Sequence, residues 1–501
     1  MSITIGKSKL TLEEFYNVTN NKYKVEISEE AIIRIKKSRD VVEKLLKEKV
    51  KAYGITTGFG SLKDKNINEE DLEKLQLNLI KSHAIGIGEP APMHIVRGML
   101  LLRLVCISNG NSGVRLCIAE KLVEALNKNY IPEVPIQGTV GASGDLAPLS
   151  HMILGLLGLG LAFDEETNKY IEASKVMDKL KIEPITLKAK EGLALNNGTQ
   201  YITSCSAYAC YNALKIMKMA NLISCVSIEA LHGVHHAFDK RIHEVKNHNG
   251  QVKIAEELWE ILEPKSESCI KYTKDKVQDA YSLRCIPQVH GSAYDLIQFC
   301  KNHIEIEMNS SNDNPLIFDN DIISGGNFHG MYIGVASDML ALAMSILCNI
   351  SERRLERMVN SSLNGFMPSF LTKNPGLNSG FMIVQYASAG ITSENRSLAN
   401  VNCVNNISTC EGSEDIVSMA GYSSRKAIMS VENTWKVLAM ELMTSIQALE
   451  FTEEKMCEQV EKIKNYVRKE LKVPKMEDDT YMKEHQDKIY NYIKSDKNDF
   501  E

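Results

Sequence analysis

The residues with the most unusual chemical prospect lie at Gly141-Ala142-Ser143-Gly144-Asp145, followed by Leu146-Ala147-Pro148-Leu149-Ser150-His151. Two glycines bracket an alanine and a serine, and glycine permits backbone angles and close approaches that a Cβ would block. The Gly144 nitrogen can therefore fold back onto the Ala142 carbonyl. Cyclisation with loss of the Ser143 hydroxyl as water yields a methylidene-imidazolone ring, an electrophile that no standard side chain supplies. The competing reading is an ordinary tight turn, capped by Asp145 ahead of a helix. The five residues alone do not decide between the two.

Other polar islands carry groups able to assist such chemistry. Tyr53 is a phenol at the head of Tyr53-Gly54-Ile55-Thr56-Thr57-Gly58-Phe59-Gly60, whose glycines mark a loop of demanding backbone; loops of this kind often carry function. This loop lacks the Lys-Ser/Thr ending of a phosphate loop. His83 lies between an apolar face and the glycine turn Gly86-Ile87-Gly88, a place where structural histidines are common. Asn196-Asn197-Gly198 is turn chemistry whose amides bring donors and acceptors into an apolar region. Gln278, Tyr281 and Arg284 follow within one short segment; arginine is shaped to grip a carboxylate through paired hydrogen bonds, although an interface ion pair uses it equally well. Phe328 sits in Ser324-Gly325-Gly326-Asn327-Phe328-His329, and Glu414-Asp415 precedes an apolar run. His232, His235 and His236 have helical metal-ligand spacing but no companion acid, so no metal site is expected.

Long helical patterns must hold these islands in place. Thr11-Leu12-Glu13-Glu14 has the spacing of a capping box, and Ser28 is a second N-cap candidate. Ile95, Met99, Leu102 and Cys106 line one face of a core helix over 93–107. Helical runs are expected at 201–231, 293–309, 331–358 and 431–467, lengths that suit a bundle. Strand signals are confined to short pieces such as Tyr170-Ile171 and Pro315-Leu316-Ile317-Phe318. The expected class is mainly α. Residues 1–195 read as a smaller mixed domain with the Tyr53 and Ser143 loops, and 196–501 as a long-helix bundle. The charged tail after Pro474 reads as surface.

Composition narrows the function classes. A chain of 501 residues with a net charge of −6 has no basic footprint for nucleic acid. Its twelve cysteines are scattered without a Cys-x-x-Cys pair, the pattern of reduced thiols in a cytoplasmic protein. The N-terminal residues offer no secretory signal, and the most apolar run, 152–163, is too short to cross a bilayer.

The islands at 53–60, 82–88, 141–151, 191–200, 278–288, 309–316, 324–329 and 393–400, taken in this order, resemble the histidine/phenylalanine ammonia-lyase family. The resemblance runs from about residue 7 to about 490. It implies the helical fold of the aromatic amino acid lyase (fumarase/aspartase-like) superfamily. It also implies a 4-methylidene-imidazol-5-one group (MIO) formed from Ala142, Ser143 and Gly144, with no external cofactor, and a homotetramer whose active sites combine three subunits. Ser82-His83, the Tyr281–Cys285 motif with Pro287-Gln288, and Glu414 where the phenylalanine branch has glutamine make the chain most similar to the histidine branch. That branch eliminates ammonia from L-histidine to give trans-urocanate. By resemblance Tyr53 is the base for the β-proton, and Arg284 holds the carboxylate with Tyr281 and Asn197. Glu414 and His83 meet the imidazole, Phe328 and Met382 wall the pocket, and Gln278 completes the polar contacts.

The pattern is not perfect. Asn196 stands where the family has an aliphatic residue, Ser413 replaces a glutamine, and Asp479 replaces an arginine. Two other readings stay open: a tyrosine or phenylalanine ammonia-lyase or an aminomutase on the same ring, and a non-catalytic helical assembly protein that kept the fold.

Overall fold

The computed structural model describes residues 1–48, 71–262, 276–319 and 321–496. They form two compact units interleaved along the chain. The first comprises Met1–Tyr211, Cys300–Asp338 and Val401–Ala427; the second comprises Asn212–Phe299, Met339–Asn400 and Ile428–Glu501. Helix dominates throughout, as expected.

The first unit opens on a parallel pair of strands, Ser2–Ile5 and Lys24–Ile27, with the helix Leu12–Thr19 between them. Thr11 and Glu14 make the reciprocal bonds of a capping box, and Ser28 caps Glu29–Lys47 by accepting from the Ala31 N–H, as their spacing predicts. The core of the unit is the helix Met93–Ser108, buried on nearly every side rather than on one face. Three antiparallel pairs complete the strands described in this unit, including Leu161–Asp164 with Lys169–Glu172 and Leu316–Phe318 with Asp321–Ile323. Both short pieces expected as strands are therefore strands.

In the second unit the helices bury polar groups as well as apolar ones. Arg354 forms a fully buried pair with Glu441, whose carboxylate also accepts from the Ser227 and Ser351 hydroxyls. A buried charge is tolerable only when paired and hydrogen-bonded, so this cluster pins the helices that supply it into one register. His290 belongs to the same polar core, with Nδ1 2.8 Å from the Asn221 side-chain oxygen.

Two expected helices take the expected bounds closely, as Gln200–Ala230 and Met331–Val359. The third begins earlier, at Ile286, because Pro287 is harmless in a first turn, where its missing N–H has no helical partner anyway. The fourth is corrected: the run 431–467 is two helices, Ala420–Ala448 and Glu458–Lys469. Between them the Thr452 hydroxyl accepts from the Glu454 N–H, a local bond that competes with helix continuation. The tail also differs from a plain surface segment. It folds as Met482–Lys494, which buries Ile489 and Ile493.

Met331–Val359 is long and apolar enough to cross a membrane, but 72% of its apolar window is buried inside the protein. Its apolar surface is thus spent on packing. All cysteines among the described residues are free, and most are buried. No group of three acidic, histidine or cysteine side chains suited to a metal occurs among the described residues. His232 instead meets the Thr452 hydroxyl and stacks on Phe366, and His235 stacks on Trp259.

Candidate active site

The loop Gly141–Asp145 joins the strand Pro135–Gln137 to the helix Leu146–Leu156. Gly144 has φ +73°, and a Cβ there would lie 2.1 Å from the Gly198 carbonyl oxygen. Only glycine allows this approach. The two glycines form an isolated bridge, and the Asp145 N–H donates to the same Gly198 oxygen at 2.7 Å. The Asn197-Gly198 turn is clamped in turn by Arg103, which donates to the carbonyls of Ala194 (2.9 Å) and Asn197 (3.1 Å).

Asp145 does not do what its position suggests. It stands at the N-cap of Leu146–Leu156 yet makes no side-chain cap there. Its carboxylate accepts instead from the Tyr201 and Ile202 N–H groups, both at 3.0 Å, and so caps the start of Gln200–Ala230. Burial pushes its carboxyl up to about 7, against the opposing pull of those amides, the Thr139 hydroxyl and the Arg103 charge.

The Ser143 hydroxyl donates to Glu414 Oε1 at 2.5 Å. Glu414 Oε2 accepts from the Thr409 hydroxyl at 2.6 Å, and backbone bonds between Thr409 and Glu414 close the loop that presents the carboxylate. His83, the last residue of helix Leu72–His83, lies within electrostatic reach of Glu414. Burial lowers its imidazole pKa, while the Leu79 carbonyl and the Glu414 charge pull the other way. Its Nδ1 is 2.9 Å from the Ser82 hydroxyl. Thus Ser143, Glu414 and His83, far apart in sequence, gather at one place in the first unit.

Asn197 is buried, and its side-chain oxygen has no partner among the described residues. A buried acceptor left open is costly unless a ligand or water meets it. Asn196 is buried as well. Its amide reaches only the Ser150 hydroxyl, at 3.4 Å, and its oxygen is also unpartnered among the described residues. Half-buried Phe328 is carried by a loop tied to the serine loop, because the Gly330 N–H donates to the Gly141 carbonyl at 3.2 Å.

In the second unit, Arg284 lies over the ring of Tyr281, 4.7 Å from its centroid, and its Nε donates to the Asp279 carbonyl at 2.9 Å. Tyr281 is 70% exposed, and Gln278 is exposed. Met382 is half-buried at the first position of helix Met382–Leu398. Tyr53 lies outside the described residues.

Sequence reasoning missed Arg103, Thr139, Thr409 and Ser418, the groups that hold the loops. Of these, Arg103 left a signal, as one of two arginines in a largely apolar helix.

A family model for aromatic amino acid lyases matches residues 10–469. The chain is 47% identical over 453 residues to a histidine ammonia-lyase of Alkaliphilus oremlandii, covering 90% of this chain and 89% of that one. Among solved structures it is similar to histidine ammonia-lyase from Trypanosoma cruzi, with a TM-score of 0.91, 40% identity, and coverage of 98% and 93% of the two chains. It is also similar to tyrosine aminomutase from Streptomyces globisporus, with a TM-score of 0.92, 30% identity, and coverage of 99% and 97%.

Proposed function

The chain belongs to the aromatic amino acid lyase family, and on that premise we propose that it eliminates ammonia from L-histidine to give trans-urocanate. The observation that carries the substrate is the Glu414 carboxylate, bonded at 2.5 Å to Ser143. An imidazole offers an N–H to such a carboxylate. A phenyl ring would leave it desolvated and unpaired, at a cost that selects against phenylalanine.

The residues present fit an MIO group built from Ala142, Ser143 and Gly144. Gly144 has the left-handed backbone angle and the close packing on Gly198 that only glycine allows, and Asn197 keeps an open buried acceptor in the turn it packs against. The group supplies an electrophilic carbon that engages the substrate amine and makes ammonia a better leaving group.

The chain's own residues do the rest. Loss of the Ser143 hydroxyl removes the donor at Glu414 Oε1, and that oxygen then accepts the substrate's imidazole N–H. His83, kept neutral by burial, orients the same ring. Arg284 holds the carboxylate, its guanidinium oriented by Tyr281 and the Asp279 carbonyl. Asn197 and Gln278 complete the polar contacts, and Phe328 and Met382 exclude water. Tyr53 takes the β-proton, a task that requires a phenol made more acidic than usual.

We further propose a cytoplasmic homotetramer whose active sites combine residues of three subunits. In it, residues 1–195 carry the Tyr53 and Ser143 loops and 196–501 form the helical core.

One experiment tests the reading. Purified protein is weighed intact and incubated with L-histidine while urocanate absorbance is followed. The expected result is a mass lower by two waters together with urocanate. A chain of unaltered mass sinks the ring, and a modified chain that ignores histidine but consumes tyrosine moves the assignment to a tyrosine lyase or aminomutase.

A further inference from the structure

The Thr139 hydroxyl touches both ends of the reactive tripeptide. It accepts from the Gly141 N–H at 3.0 Å, and it lies 3.2 Å from the Gly144 carbonyl oxygen and 3.1 Å from Asp145 Oδ1, to either of which it donates. The far side of Gly141 is fixed as well, since its carbonyl accepts from the Ser418 hydroxyl at 2.8 Å and the Gly330 N–H at 3.2 Å. Thr139 cannot swing away easily. A Cβ on Gly421 would lie 2.3 Å from its carbonyl oxygen and 2.7 Å from its methyl carbon, so that side is tightly packed.

Resting on the ring reading above, we propose that Thr139 is a positioning residue for closure of the Ala142-Ser143-Gly144 ring. Closure forms a bond from the Gly144 nitrogen to the Ala142 carbonyl carbon. The Gly144 amide proton passes to the Ala142 carbonyl oxygen, which leaves as water together with the Ser143 N–H proton as a C=N bond forms between that carbon and the Ser143 nitrogen. A second water takes the Ser143 hydroxyl and the Ser143 α-proton, leaving the exocyclic methylidene. No oxidant or co-reactant is needed.

A backbone nitrogen is a poor nucleophile, and its attack depends on being held close to the carbonyl before reaction. The Gly141 N–H is fixed to the Thr139 oxygen, and when that hydroxyl donates to the Gly144 carbonyl the loop is held in its compact form from both ends. When it donates to Asp145 Oδ1 instead, the same hydroxyl ties the Gly141 end of the loop to the carboxylate that caps Gln200–Ala230.

The test follows ring formation by intact mass in freshly purified full-length protein, with Ser143→Ala as the unreacted reference. Thr139→Val keeps the shape and removes the hydroxyl; Thr139→Ser keeps the hydroxyl. Losing a hydrogen bond that acts on the closure step is expected to slow the loss of two waters about tenfold in Thr139→Val. Thr139→Ser should mature like the parent, and turnover per ring-bearing chain should be the same in all. A purely structural role would lower the melting temperature without changing the mass of the folded fraction. Should the valine variant fail to fold, Thr139→Ala removes the same hydroxyl and is read in the same way. Maturation of a folded valine or alanine variant at the parental rate overturns the proposal. A parent chain that never loses water overturns the ring reading itself.

Discussion

The hydroxyl of Ser143 and the carboxylate of Glu414 lie 2.5 Å apart, although 271 residues separate them in sequence. The contact places an acid against the serine that the proposed ring would consume. Under the proposed function it also makes Glu414 the residue with most to say about substrate choice.

Glu414→Gln keeps the shape and removes the charge. Turnover of L-histidine should fall by about 10²–10³-fold, the usual cost of losing one charged partner at a reacting substrate. Thermal melting should stay near the parental value, because the Thr409 and Glu414 backbone bonds survive. Steady-state kinetics beside a melting curve checks this, and an unchanged rate would remove Glu414 from the mechanism.

Gly144→Ala forces a Cβ against the Gly198 backbone at a left-handed φ. Strain of this kind costs about 1–3 kcal/mol before the clash itself is counted. The variant should melt earlier and keep the full mass of an uncyclised chain, both readable on one preparation.

Arg284→Lys retains a positive charge but loses the paired geometry for a carboxylate. KM for histidine is expected to rise by about tenfold or more, with a smaller change in kcat. Equal losses in kcat and kcat/KM would instead place Arg284 at the transition state.

Asp145 carries a pH dependence. Its folded pKa is raised to about 7, so between the ordinary carboxylate range and 7 the folded chain binds more protons than the unfolded one. The stability it contributes is fully present at low pH and is lost as pH rises through about 7. Denaturant melts of the parent and Asp145→Asn at pH 5 and pH 9 read this directly. The advantage of the parent over the variant should shrink at the higher pH, and a gap that widens contradicts the assignment.

Much of this was legible in the residues. The glycines around Ser143 announced an unusual backbone, and Thr11 and Ser28 announced helix starts, because each effect is local. The long helices at 200–230 and 331–359 were legible because apolar periodicity persists over many turns. What stayed hidden depends on contacts between distant residues. Nothing near Asp145 says that it caps a helix beginning at Gln200 rather than its own. Leu449, Phe451 and Val460 keep an apolar spacing past Ala448 that conceals the break, and the charged tail hid the apolar face of Met482–Lys494.

The clamps on the reactive tripeptide have a consequence in time. Ala142-Ser143-Gly144 is synthesised early, but the groups that grip its loop come from Gly198, Gly330, Glu414 and Ser418. Two of these four, Glu414 and Ser418, are added only after more than four-fifths of the 501 residues have been made. The full grip on the loop therefore exists only once the last of these residues has been made, and ring closure, as proposed, would follow synthesis of that region rather than accompany it.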